Sequence, residues 1–197
     1  MLGGRKHAHL VIFSLSAAAS LCAISFAVTQ FLSDSPTGFS FKEIFPLIGF
    51  DVLIDNTCAF FVFVIGVIAL AVSVYSIGYA KKYDKVSSFG FLFNFFIVSM
   101  ILVTISNNVF SFLIFWELMS LTSFFLVIYE HESHNNRKAA INYLVMTHFG
   151  TAFIASAFLL SFVQTGSFSF DSFRHLGTNS IFKDAIFVFA LIGFGTK

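Results

Sequence analysis

Three side chains that can take up and release a proton stand in stretches that are otherwise apolar: Glu117, His148 and Lys197. Glu117 is the most exposed to this conflict. It sits in SFLIFWELMSLTSFFLVIY, and no positive charge lies between Asn108 and Tyr129. If that run is a helix, the 1.5 Å rise places Glu117 roughly 12–15 Å from its start. That is near the middle of a hydrocarbon core about 30 Å thick. A charge there costs at least ~2.5–3.5 kcal/mol, so such a carboxyl is paired, wetted or neutral. Desolvation favours the protonated form and a basic partner favours the ionised one. A carboxyl balanced between the two carries protons. The alternative is a neutral glutamic acid hydrogen-bonded to a neighbouring helix.

Lys197 follows a run, Ala185–Thr196, with no charged residue. It arrives roughly 18 Å into that span. Gly193 and Gly195 just before it are expected to weaken the helix, and broken helices in membranes line cavities or ion paths. The competing account is a terminal lysine that snorkels to the interface. His148 lies some ten residues into the run Ala139–Val163, with Thr147 and Thr151 beside it. Histidine titrates near neutral pH and relays protons, or it simply packs through hydrogen bonds. Gly150, Ala152, Ala155, Ser156 and Ala157 form a small-residue surface suited to close helix packing. Asn94 is expected to be an interhelical hydrogen bonder rather than a pathway residue.

These groups need helices to position them. The chain has 197 residues, 57% hydrophobic and 11% charged, against about 25% charged in a soluble domain. Its apolar runs have the length that crosses a bilayer: Leu10–Leu32, Thr57 to about Ala80, Phe89 to Ile105, Val109–Tyr129, Ala139–Val163, and a sixth starting near Ala185. The first is too long for the apolar part of a signal peptide. Between them, residues 33–56 are expected to be an external loop, because Pro36, Gly38, Pro46 and Gly49 break regular structure and four acids make it polar. Phe45–Phe50 within it is a candidate for the membrane surface. Asn107 and Asn108 make a polar turn, and 130–138 and 166–180 are further loops. Arg5, Lys6, Lys81, Lys82, Lys85, Arg137 and Lys138 fall on one side, and Lys42, Arg174 and Lys183 on the other. That asymmetry expects a cytoplasmic N-terminus. Cys22 and Cys58 show no metal spacing and read as packing residues. There is no dinucleotide fingerprint, P-loop or cysteine cluster, so redox or nucleotide chemistry would belong to a partner. A net charge of +1 gives no reason to expect nucleic acid.

Three stretches resemble a known family. Asn107–Val127 (NNVFSFLIFWELMSLTSFFLV) resembles the fifth-helix signature of the antiporter-like membrane subunits. That superfamily includes the proton-pumping subunits of complex I, the multisubunit cation/proton antiporters and membrane subunits of energy-converting hydrogenases. Asn142–Ile154 resembles the next helix, and Ala190–Lys197 (ALIGFGTK) the helix with the family lysine. The wording of Ser73–Tyr79 and Tyr143–Gly150 is most similar to the component B group of hydrogenase-4-type complexes. The resemblance implies an all-α integral membrane fold of about six transmembrane helices, a partial antiporter-like bundle. It divides the chain into N-terminal helices, 1–106, and the start of a proton-translocating domain, 107–197. It implies that Glu117 and Lys197 are the coupled carboxylate and lysine of a half-channel, with His148 near the path. Family members also have a helix before the one near Leu10, and a second inverted repeat with a further central lysine. The chain is therefore expected to be a fragment or a truncated reading frame. Its implied setting is the cell (inner) membrane, beside other membrane subunits of a respiratory or hydrogenase complex, moving protons and binding no cofactor itself. An antiporter component exchanging Na+ and a nonfunctional remnant are the rival readings.

Overall fold

A computed structural model describes residues 7–33, 35–45, 48–83, 85–130, 134–174 and 180–197. Its elements in order are helix α1 (Ala8–Ser33), strands β1 (Thr37–Phe45) and β2 (Ile48–Ile54), and helices α2 (Asn56–Tyr79), α3 (Val86–Ile105), α4 (Val109–Val127), α5 (His134–Thr165), α6 (Phe170–Phe173) and α7 (Ser180–Gly195). A 3-10 turn, Ala80–Lys82, extends α2. Among the described residues, five helices are long and apolar enough to cross a membrane: α1, α2 with its extension, α3, α4 and α5. Helices dominate because the bilayer offers no partner for backbone N–H and C=O groups, and a helix pairs them within itself. The sixth expected span is α7, whose 16 residues cover about 24 Å.

Several expected boundaries move. The segment read as a loop over 33–56 contains a two-stranded sheet. Its sequence alternates: Phe39 and Phe41 with Ser40 and Lys42, then Ile48, Phe50, Val52 and Ile54 with Gly49, Asp51 and Leu53. That period of two is a strand signal, and the prolines and acids around it masked it. Phe45 and Ile48–Phe50, read as a surface segment, are strand residues; residues 46–47 lie outside the described residues. Helix α5 starts at His134, so residues 134–138 of the expected loop are its first turns, and residues 131–133 lie outside the described residues. Helix α7 starts at Ser180 rather than near Ala185, and it runs unbroken through Gly193 to Gly195. The expected weakening at the glycines does not occur.

The chain divides into two compact units, 1–38 with 53–105, and 39–52 with 106–197. Most of the hairpin belongs to the second unit.

In the first unit, α1 packs on α2 and α3 through glycine contacts. A Cβ on Gly66 would stand 2.8 Å from Ile24 Cγ1, and one on Gly90 would collide with Ile12. Small residues let helices approach this closely in a membrane. Phe13 is fully buried and meets Phe93 edge-on at 5.7 Å between ring centroids. Asn94 bridges helices as expected: Ser16 Oγ lies 2.7 Å from Asn94 Oδ1, while Asn94 Nδ2 donates to the Gly90 carbonyl at 2.8 Å. Cys58 packs against α3, its Sγ 3.2 Å from the Thr104 carbonyl, and Cys22 is exposed. Asp55 caps α2 by accepting from the Cys58 N–H at 2.8 Å. That backbone bond holds the Asp55 carboxyl below its ordinary value. His7–Leu10 and Lys81, Tyr83 and Lys85–Ser88 line one cavity, so the start of α1 and the α2–α3 connection share an end of this unit.

Candidate functional site

The second unit holds all three proton-active candidates. Its architecture starts at α4. Asn108 is extended and its side chain accepts from the Phe110 N–H at 2.8 Å, capping the helix. The backbone around it is stitched on both sides. Asn107 N donates to the Asp51 carbonyl at 2.8 Å, Val109 N donates to the Phe168 carbonyl at 3.0 Å, and bridges join Val52 to Ser106 and Asn108 to Ser169. So the expected polar turn at Asn107–Asn108 is an anchored helix start. It fixes the height of α4, and with it the depth of Glu117. Glu117 falls close to the middle of this 19-residue helix. His148 falls near the middle of the 32-residue α5.

Helices α5 and α7 are held together by glycines. A Cβ on Gly193 would lie 2.8 Å from Ile154 N and 2.9 Å from the Gly150 carbonyl. One on Gly150 would lie 2.8 Å from the Gly193 carbonyl and overlap Thr196. The buried face of α5 is Thr147, Gly150, Ile154, Ala157 and Ser161. That spacing of three and four is one helical stripe. It includes Gly150 and Ala157 from the expected small-residue surface, whereas Ala152 is exposed. Aromatic rings fill the remaining space: Phe194 of α7 meets Trp116 edge-on at 5.4 Å, and Phe112 meets Phe158 of α5 at 5.5 Å.

This packing brings Glu117 and His148 together. His148 Nε2 stands 3.4 Å from Glu117 Oε2, with side-chain exposures of 50% and 30% respectively. The other ring nitrogen, Nδ1, is 2.9 Å from the Leu144 carbonyl. A carbonyl can only accept, so Nδ1 carries a proton in that contact. Nε2 is then the nitrogen that gains or loses the second one, and it faces the carboxyl. The 3.4 Å gap exceeds the usual hydrogen-bond range of about 2.7–3.2 Å, so a small side-chain movement makes or breaks the proton contact.

Lys197 takes a different place from the expected one. Its ammonium donates to Ser120 Oγ at 2.6 Å and lies 4.6 Å over the Trp116 ring. The group within ion-pair distance of Glu117 is instead His148. Ser120 and Trp116, which contact the ammonium, were not among the residues expected from the sequence. The signal was present: positions 116, 117 and 120 share a face of α4, because residues three and four apart are neighbours on a helix.

Fold and site together define a class: a multi-pass helical membrane protein with a carboxyl, an imidazole and an ammonium grouped around α4, the imidazole on an exposed face of α5. Residues 106–197 match the family described as NADH:quinone oxidoreductase/Mrp antiporter, TM. That matched segment contains Glu117, His148 and Lys197. It is 37% identical over 145 residues to hydrogenase-4 component B of Escherichia coli (strain K12), covering 73% of this chain and 21% of that protein. It is 30% identical over 155 residues to the putative antiporter subunit mnhA2 of Staphylococcus aureus, covering 76% of this chain and 19% of that protein. The chain thus spans about a fifth of the length of these relatives. A chain in the structure of the membrane-bound sulfane sulfur reductase, an archaeal respiratory membrane complex, superposes with a TM-score of 0.80. The match covers 96% of this chain and 39% of that one at 18% identity, a likeness of fold alone.

Proposed function

We propose that this chain forms part of a proton-translocating membrane subunit of a hydrogenase or NADH:quinone oxidoreductase-type complex. One observation supports this above the others: Glu117, at mid-helix depth, has the His148 imidazole 3.4 Å away, and the Lys197 ammonium sits on Ser120, three residues along the same face of α4. A carboxyl with one fixed partner is a structural ion pair. A carboxyl with two can exchange them as its proton comes and goes. The protein binds no cofactor; electron carriers belong to partner subunits in the same membrane, and their redox steps drive the exchange. The relative from Escherichia coli is named as a hydrogenase component, which favours this setting. The relative from Staphylococcus aureus is named as a putative antiporter subunit, which keeps Na+/H+ exchange as the second reading. Proton uptake into sealed vesicles carrying the complete complex separates them. Uptake driven by electron transfer in sodium-free buffer supports the first, and uptake that requires a sodium gradient supports the second.

In this reading His148 is a working partner of Glu117. His148→Gln keeps hydrogen-bonding capacity without titration. It should slow proton uptake roughly tenfold, equivalent to about 1.4 kcal/mol, with the complex still assembled. Uptake at the wild-type rate would reduce His148 to packing.

The membrane is the cell membrane, with the N-terminus and the start of α5 on the cytoplasmic side, as the lysine and arginine distribution directs. Ser133 directly precedes α5, and Ser169 follows its other end. A 32-residue helix separates its ends by about 48 Å. Cysteines introduced singly at Ser133 and Ser169 should therefore react with an impermeant reagent from opposite faces. Reaction of both from one face would refute this orientation and the span through α5.

A further inference from the structure

The ammonium of Lys197 is held by two α4 residues that the charge pattern does not single out. Ser120 is fully buried, and its hydroxyl donates to the Trp116 carbonyl at 2.9 Å. The hydroxyl proton is thereby committed to the backbone, and the oxygen's lone pairs are left to accept from Lys197 Nζ. Trp116 supplies the other wall. Its Nε1–H is buried without a hydrogen-bond partner among the described residues, and what it presents to the ammonium is the ring face. The negative face of an indole attracts a cation, most strongly where water is excluded. Phe112 stacks on the indole and Phe194 meets it edge-on, so the ring is fixed.

From this geometry we infer that Ser120 and Trp116 form a seat for the Lys197 ammonium, separate from Glu117, which leaves Glu117 to His148. Ser120 and Glu117 lie three residues apart on one face of α4. A lysine side chain therefore passes between them by rotating its own bonds, with no helix movement. In the seated state the ammonium is stabilised by a hydroxyl and a ring, and the carboxyl exchanges its proton with His148. In the other state the ammonium moves to the carboxylate. Ser120 and Trp116 are positioning residues, since they set which partner Glu117 has. Their part in transport rests on the proposed function; the existence of the seat does not.

The two claims are tested separately. Trp116 is the single tryptophan of the chain, so its emission in the chain reconstituted in lipid nanodiscs reports the seat directly. A protonated amine against an indole quenches its fluorescence. Lys197→Gln and Ser120→Ala should each raise the emission, and Ser120→Ala should add nothing in the Lys197→Gln background. Ser120→Thr keeps the hydroxyl and should keep the wild-type emission. Glu117→Gln should leave the ammonium seated and the emission low. Emission that is indifferent to Lys197→Gln, or that rises with Glu117→Gln as much as with Ser120→Ala, overturns the seat; Lys197→Met repeats the first of these should the glutamine variant misfold. In the complete subunit, Ser120→Ala should slow proton uptake about tenfold, the loss of one hydrogen bond to a charged group, and Ser120→Thr should restore it. Emission that follows the seat while uptake ignores Ser120→Ala would overturn its part in transport and leave the seat standing.

Discussion

Glu117→Gln in the complete subunit should lower proton uptake into vesicles at least about a hundredfold, the lower range for removing a group that transfers protons, while the complex still assembles. Glutamine has nearly the size and shape of glutamic acid and keeps hydrogen-bonding groups at the same place. The packing around α4 is therefore preserved. What disappears is the ability to change charge. Without it, neither His148, 3.4 Å away, nor the Lys197 ammonium on Ser120 has a carboxylate to answer. Glu117→Asp keeps the carboxyl one methylene further back, and the gap to His148 is already longer than a hydrogen bond. It should retain part of the rate. Assembly and uptake are measured on the same preparation. Wild-type uptake by the Gln variant would sink the assignment and leave Glu117 as a neutral packing residue.

Gly193→Ala should destabilise the second unit by about 1–3 kcal/mol, the usual range for overpacking. A methyl at Gly193 meets backbone: Ile154 N at 2.8 Å and the Gly150 carbonyl at 2.9 Å. Neither can rotate away, so α5 and α7 must part. Gly150→Ala meets the same crossing from the other side and should behave alike. Because Lys197 lies two residues beyond the end of α7, parting the helices also draws its ammonium from Ser120. Gly195→Ala is the control. A Cβ there has nothing within 4 Å, and alanine in a helix is favoured over glycine by roughly 0.5–1 kcal/mol. Denaturant unfolding of the reconstituted chain compares the three. Equal stability of the Gly193→Ala and Gly195→Ala variants would refute the glycine crossing.

Much of the fold was legible in the residues. The helices could be placed because a membrane span must satisfy its own backbone, and the apolar runs that do so are long and bounded by charges. Asn94 was legible as a bridge for the converse reason: a polar amide inside such a run must find a partner on another helix. The hairpin was legible and missed. Its alternation from Phe39 to Ile54 was outweighed by the prolines and acids in the segment, which were weighed as loop signals. The continuous α7 was missed because Gly193 was weighed by its helix propensity. In this bundle its missing side chain is what lets α7 lie against Ile154 and Gly150, and that contact outweighs the propensity.

The sequence alone determined which groups in the spans can titrate and how deep they lie. Position along a helix is arithmetic, at 1.5 Å per residue from a boundary the charges mark. Only the tertiary structure decided who meets whom. Depth constrains Glu117 to a level that His148 and Lys197 both reach, and at that level both are candidate partners. The choice depends on how each helix is rotated about its axis and how closely it approaches its neighbour. Those quantities come from the Gly150–Gly193 crossing and from the aromatic packing of Phe112, Trp116 and Phe194. These long-range contacts join residues far apart in the chain, and no local pattern encodes them. They turn His148 toward the carboxyl and place the ammonium of Lys197 on Ser120.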